Sequence, residues 1–180
     1  MILINELTTH EKQKEVFLER IEDYKNSKDC ILSNSMVGIK ESKGTVYSDY
    51  QFSVIDRLFK DDLFEHKEMR ELLGQIGYKL NMGLFSNFNV DTHDAWFQQY
   101  ENKAEHTWHN HSGCQFTNVY FLELPDTNYK TEICGLNGKL IEYEAKEGEV
   151  LTMPSFLLHR SKPNGSERKT IISFNTSYRA

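Results

Sequence analysis

The segment Trp108-His109-Asn110-His111 is followed fifty residues later by Met153-Pro154-Ser155-Phe156-Leu157-Leu158-His159, and then by Arg168. Two imidazoles separated by one residue can share a metal, because alternate residues of an extended strand point to the same side. A third imidazole arriving from a distant strand completes one face of a coordination sphere and leaves the opposite face for substrate and oxygen. Arg168, nine residues after His159, is where a carboxylate-bearing cosubstrate can be clamped, since the guanidinium fork suits bidentate pairing. The chemistry outlined is that of a redox-active metal centre.

Each piece also has an ordinary explanation. An H-x-H pair alone describes surface imidazoles at a strand end as well as it describes ligands. The downstream segment changes the balance: Gly148 to Ser155 reads as a turn, a buried strand and a Pro-fixed exit. Phe156-Leu157-Leu158 then delivers His159 into apolar surroundings, where the neutral form that binds metals is favoured. Arg168 stands between Glu167 and Lys169, a setting typical of surface charge. Yet it opens the core-like run Thr170-Ile171-Ile172-Ser173-Phe174-Asn175, and Thr170, on the same face, can add a hydroxyl to the same carboxylate. His10 and His66 fall in polar helical stretches and are expected to be solvated. His93 lies in a turn-like stretch and receives no role. His106, three residues before His109, is expected to point away from it on a strand.

These residues need a scaffold, and its two halves differ. Thr8 to Glu11 fits a capping box, and Val16, Phe17, Ile21 and Tyr24 recur at helical spacing, which predicts a helix over about 9–26. Val54, Leu58 and Phe59 suggest a short helix near 53–60. Met69, Leu72, Leu73, Ile76 and Leu80 predict a helix over 66–82, weakened by Gly74 and Gly77. Beyond about residue 84, aromatic and β-branched runs alternate with turn residues. Strands are expected at Trp96–Tyr100, Gln115–Leu124, Glu132–Tyr143, Glu149–Met153 and Lys169–Ser177. Asn137-Gly138 predicts a hairpin with a type I′ turn. Strands at this spacing without helices between them suggest a sandwich or barrel. The expected organisation is one domain over 1–180, with 1–83 as mostly helical support and 84–180 as the β core carrying the metal site.

Composition bounds the rest. The chain has 180 residues, of which 38% are hydrophobic and 12% aromatic, enough for a globular core. A net charge of -6 argues against a nucleic-acid backbone as partner. No apolar run reaches the roughly 18 residues of a membrane span, and the N-terminus lacks the basic and apolar regions of a signal peptide. Three cysteines (Cys30, Cys114 and Cys134) without a C-x-x-C pair argue against a disulfide framework or a zinc ribbon. A reducing cytoplasm is the expected location, a host's cytoplasm if the protein is phage-encoded.

Taken together, these segments resemble the iron(II)/2-oxoglutarate-dependent dioxygenases, in particular a prolyl-hydroxylase-like phage and marine-bacterial branch with H-x-H in place of H-x-D. The branch pattern has a Trp- and Tyr-containing strand, W-H-x-H, a V-Y-Y-L-like strand, G-(E/D)-x-(L/V)-x-x-P-S-x-x-x-H, and R-x-(S/T)-I-S-F-N. This chain supplies Trp96 to Tyr100, Trp108 to His111, Val119 to Leu122, Gly148 to His159, and Arg168 to Asn175. The resemblance implies a double-stranded β-helix, or jelly roll, buttressed by the N-terminal helices. It places His109, His111 and His159 at the iron, and Arg168, with Thr170 and Tyr100, at 2-oxoglutarate. With O2 as oxidant, it implies hydroxylation of a substrate coupled to decarboxylation of 2-oxoglutarate to succinate. A peptide side chain, a small metabolite or a nucleobase fits as substrate, with the acidic charge counting mildly against nucleic acid, and Trp96, the loop after Leu124 and the helical half are expected to select it. A membrane partner is not implied, and the oligomeric state is open, a homodimer included.

His111 stands where the commoner triad carries a carboxylate. Its neutrality removes a negative charge beside the metal, which Glu105 or Asp94 can offset from nearby. The runner-up is a cupin, with Gln115 where its glutamate belongs and Gly148, Pro154 and His159 keeping its second motif's spacing. A cupin needs neither Arg168 nor Ser173-Phe174-Asn175. A third reading is a non-enzymatic binding module with a degenerate site.

Overall fold

A computed structural model describes residues 1–28, 30, 44–50, 52, 56–60, 62–80 and 88–179. Strands β1 (Leu3–Glu6), β2 (Val46–Ser48), β3 (Asn89–Tyr100), β4 (His106–His109), β5 (Phe116–Glu123), β6 (Glu132–Ile133), β7 (Glu149–Pro154), β8 (His159–Ser161) and β9 (Lys169–Arg179) are joined by helices α1 (His10–Ser27), α2 (Asp62–Glu65) and α3 (Lys67–Lys79). They form a six-stranded sheet in the order β1-β7-β5-β9-β3-β2 and a three-stranded sheet in the order β4-β8-β6. All the pairings are antiparallel. No described helix is long and apolar enough to cross a membrane.

The large sheet is buried on both faces, and each face has its own core. Phe17 and Ile21 of α1 and Met69, Leu72, Leu73 and Ile76 of α3 pack against Ala95, Phe97, Tyr120, Leu122, Ile172 and Phe174. The opposite parity (Tyr100, Val119, Phe121, Leu151, Met153 and Ile171) packs between the sheets with Ile133 and Leu157. Side chains alternate across a strand with a period of two, so even-numbered residues of β9 face the helices. Odd-numbered ones face the small sheet. This parity decides which polar residues reach the site.

Both long helices lie close to their expected bounds, but local details differ. The N-cap of α1 is Thr9, one residue later than the Thr8–Glu11 capping box requires, so that box does not form; Thr9 makes no side-chain capping bond and its Oγ1 is buried without a partner. Val16, expected on the buried face, is half exposed, and His10 is buried with Nδ1 2.7 Å from the Tyr120 hydroxyl. Residues 53–55 of the expected short helix lie outside the described residues, while Leu58 to Lys60 form a turn. The N-terminal half also supplies two edge strands, β1 and β2, too short to show periodicity. The expected 132–143 strand pair shrinks to β6 and a Cys134–Leu140 bridge. Its turn is closed by Gly138 N–H donating to Gly135 O at 2.9 Å. Gly138 has φ 76° whereas Asn137 does not have positive φ, so the turn is not type I′; one left-handed residue after the corner matches a three-residue hairpin loop.

The two glycines of α3 have opposite meanings. A Cβ on Gly74 would meet nothing within 4 Å, whereas one on Gly77 would lie 2.5 Å from the Phe88 ring and 2.9 Å from that of Tyr178. Gly74→Ala is therefore expected to stabilise the fold by about 0.5–1 kcal/mol through helix propensity. Gly77→Ala is expected to destabilise it by about 1–3 kcal/mol through overpacking. Urea unfolding of the two variants checks the pair, and a stabilised Gly77→Ala would contradict the close helix–sheet approach.

Candidate metal centre

His109 and His159 face each other across the β4–β8 ladder, where they are register partners. His111 follows the end of β4 and is held by its own backbone N–H, which donates to Ser155 O at 2.9 Å. Ser155 lies in the tight turn after Pro154, closed by Leu157 N–H donating to Pro154 O at 3.1 Å. That turn carries the chain from β7 in one sheet to β8 in the other. One ring nitrogen from each of the three histidines lies within 4.8 Å of the others. Their ring centroids are 4.3 Å (His109–His159), 5.1 Å (His111–His159) and 5.4 Å (His109–His111) apart.

The three rings suit a divalent ion chemically as well as geometrically. Burial pushes His109 down to about 4 and His159 to about 3, and it also lowers His111. All three are therefore neutral at neutral pH, the form in which imidazole ligates. His109 Nδ1 lies 2.8 Å from Thr107 O, and His159 Nδ1 lies 3.0 Å from Leu157 O. A carbonyl only accepts, so each Nδ1 carries the proton and each Nε2 keeps its lone pair. His111 Nδ1 sits 2.9 Å from Asn175 Oδ1 and 3.1 Å from Thr117 Oγ1. Among the described residues, no Asp, Glu or Cys joins this cluster, so neither Asp94 nor Glu105 stands where a carboxylate ligand would.

A cavity of about 460 Å³ opens over the histidines, walled by Tyr50, Trp96, Tyr100, Trp108, Val119 and Ile171, with Asp94, Gln98, Ser161, Ser173 and Asn175 as polar lining. His106 also lines it and stacks on His109, with centroids 3.9 Å apart and planes at 18°. The expectation that it points away is overturned by a register irregularity between His106 and His109. That irregularity breaks the simple alternation and brings both rings to one side.

Arg168 does not reach this cavity. Its guanidinium bonds the Glu123 carboxylate at 3.0 and 2.8 Å and Glu22 at 2.9 Å, on the helix-facing side. Thr170 faces the same way, donating to Glu123 and accepting from Gln99 Nε2 at 3.2 Å. Both expectations are corrected by parity: residues 168 and 170 fall on the wrong face of β9. The cation on the cavity side is the next residue. Lys169 is 1% exposed; its Nζ donates to Ser161 Oγ, and to Tyr129 O at 2.9 Å, and lies 4.4 Å from the centre of the Tyr100 ring. Among the described residues, no carboxylate pairs with it. Burial, then repulsion from Lys162, brings its ammonium down from 10.5 to about 7. Tyr100, the remaining expected cosubstrate contact, is on the cavity side and 1% exposed.

No protein-family model matches the chain, and no curated protein sequence does either. Solved structures do match. A prolyl-4-hydroxylase from Pseudomonas putida superposes with a TM-score of 0.59 at 11% identity, over 98% of this chain and 91% of that one. A prolyl hydroxylase from Trichoplax adhaerens, solved with a hypoxia inducible factor peptide fragment, gives 0.59 at 13% identity, over 97% and 82%. The viral collagen prolyl hydroxylase of Paramecium Bursaria Chlorella virus-1, solved with 2OG, gives 0.52 at 12% identity, over 97% and 94%. The chain shares the fold of these three structures. At these identities the likeness concerns the fold.

Sequence reasoning missed Lys169, Asn175 and the cavity-facing role of His106. A signal for Lys169 was present: it shares parity with Ile171, Ser173 and Asn175, three residues of mixed polarity that suit a polar cavity better than a helix-packed face. The alternative glutamate position of a cupin is also settled geometrically. Gln115 is exposed and its Oε1 accepts from Tyr178 N–H at 2.8 Å, outside the histidine cluster.

Proposed function

We propose that this protein is a non-haem iron(II)/2-oxoglutarate-dependent oxygenase that hydroxylates a small-molecule or peptide substrate. The observation that carries the reading is that three convergent neutral imidazoles line a cavity whose Ser161 and Tyr100 are contacted from behind by the buried ammonium of Lys169, which pairs with no carboxylate among the described residues. A buried cation without an anion is costly, and a fold retains one where a ligand supplies the anion. His109, His111 and His159 would hold the metal through Nε2. Lys169, with Ser161 and Tyr100 around it, would take the distal carboxylate of 2-oxoglutarate. Ser161 is two residues from His159, roughly 7 Å along β8, a separation that a five-carbon dicarboxylate bridges.

Iron bound to the triad would supply the activation of O2, with decarboxylation of 2-oxoglutarate to succinate and CO2 delivering one oxygen atom to a substrate C–H bond. The chain's own residues supply binding and exclusion of water. Trp96 and Trp108 wall the cavity, Tyr50 packs edge-on to Trp96 at 5.1 Å, and Lys169 sits beneath, shielded from solvent. The sheet orders support reading the fold as a double-stranded β-helix: β7, β5, β9 and β3 as the major sheet and β4, β8 and β6 as the minor one. His111 in place of a carboxylate supports the H-x-H branch of these oxygenases.

The test is succinate formation from 2-oxoglutarate under air by protein loaded with Fe(II), with and without a chelator. Iron-dependent succinate is expected even without the true substrate, as slow uncoupled turnover. Absence of 2-oxoglutarate binding to Mn(II)-loaded protein by calorimetry would overturn the reading and favour a metal-binding protein of another kind.

A further inference from the structure

Two of the three histidines have their tautomer set by the backbone carbonyl two residues before them, whereas His111 does not. Thr107 O and Leu157 O are carbonyls that cannot turn round. His111 instead faces a carboxamide, which can present either end. Asn175 lies with Oδ1 2.9 Å from His111 Nδ1, while its Nδ2 donates to Asp94 Oδ1 at 3.1 Å. The other oxygen of Asp94 accepts from Arg57 Nη1 at 3.0 Å. Arg57 is itself anchored by Tyr50 O at 3.0 Å and Phe52 O at 3.4 Å, and lies against the Tyr50 and Trp96 rings.

The polarity of this chain runs one way. Arg57 only donates, and an aspartate ion-paired to it only accepts. An acceptor-only oxygen requires the NH2 end of Asn175, which turns the carbonyl end to His111. A carbonyl requires a proton from the ring, so the proton sits on Nδ1 and the lone pair on Nε2. Thr117 Oγ1, 3.1 Å from the same nitrogen, imposes nothing, because a hydroxyl both donates and accepts.

We propose that Asp94 and Asn175, oriented by Arg57, are positioning residues that set the tautomer of His111 and thereby make a histidine competent at the ligand position that lacks a carboxylate. This rests on the reading of His111 as the third ligand. It also gives the Asp94 carboxylate a role: it reaches the metal site through Asn175 and His111 rather than by coordination, as outer partners do at other metal centres.

Asp94→Asn reverses the chain without changing its shape. Arg57 takes the new carbonyl, the new NH2 faces Asn175, and Asn175 must turn its own carbonyl toward it. Its NH2 then points at His111 Nδ1, which can only accept as a lone pair, so the proton moves to Nε2. Adding Asn175→Asp restores an acceptor beside both neighbours. Two readouts on the full-length, metal-free protein at neutral pH test this: long-range proton–nitrogen NMR of the histidine rings, and calorimetric titration with Co(II). The wild type is expected to show His111 protonated on Nδ1. Asp94→Asn should shift it to Nε2 with about a ten- to hundredfold loss of Co(II) affinity, and the double variant should restore both. Should Asp94→Asn fail to fold, Asn175→Ala removes the relay outright and is expected to give a mixture of tautomers. A His111 ring that stays protonated on Nδ1 in Asp94→Asn, or wholly so in Asn175→Ala, overturns the proposal. If the tautomer moves while Co(II) affinity does not, tautomer control stands and the assignment of His111 as a ligand falls.

Discussion

Lys169→Met is expected to yield a more stable protein that no longer holds 2-oxoglutarate. The side chain is buried between the sheets against Tyr100, with its ammonium lowered from 10.5 to about 7 by burial and by Lys162. A thioether of similar length needs neither solvation nor a counter-charge. The melting temperature should therefore rise, with about 1 kcal/mol worth roughly 2–4 °C in a chain of this size. The pH dependence has a definite sign. Between about 7 and 10.5 the unfolded lysine holds a proton that the folded one releases, so wild-type stability should climb with pH across that window. Lys169→Met should remove that slope. Affinity of Mn(II)-loaded protein for 2-oxoglutarate should fall by about 2–5 kcal/mol, as when one partner of a buried charge pair is truncated. Arg168→Ala, which breaks only a half-exposed cluster with Glu22 and Glu123, should leave that affinity alone. Calorimetry of the two variants decides between neighbouring cations, and a loss confined to Arg168→Ala would reinstate the arginine.

His159→Ala should remove metal binding. Two imidazoles hold a divalent ion poorly, and the loss should exceed the roughly 10–100-fold that outer partners cost. Metal binding to the native state stabilises it by about 2.7 kcal/mol at a hundredfold excess over Kd, so wild type should melt higher with Co(II) and the variant should not. In the metal-free protein, burial keeps His109 near 4 and His159 near 3. Unfolded imidazoles take up protons that these refuse, so stability should decline as pH falls from about 6.5 toward 3. His159→Ala should flatten part of that decline. His111→Asp is the contrasting variant: it installs the commoner triad and should retain iron. Unchanged iron affinity in His159→Ala, or its loss in His111→Asp, would be incompatible with the triad.

Much of this site was legible before any fold was known, because the relevant signals are local. The two-residue spacing of His109 and His111, the Pro154 turn leading to His159, and the helical period of Met69 to Ile76 depend on backbone geometry alone. The strands of the β core were recognisable for the same reason, although β1, β2, β4 and β8 are too short to show a period. What only the tertiary structure decided was parity. β9 is buried on both faces, so apolar alternation does not distinguish the helix side from the cavity side. One residue of register exchanges Arg168 and Thr170 for Lys169 and Ile171. The β4 irregularity that brings His106 onto His109 was likewise invisible, since it exists only against β8. The Arg57–Asp94–Asn175–His111 chain joins positions up to 118 residues apart. Its direction follows from which group can only donate and which can only accept, and that becomes defined once folding sets the four side by side.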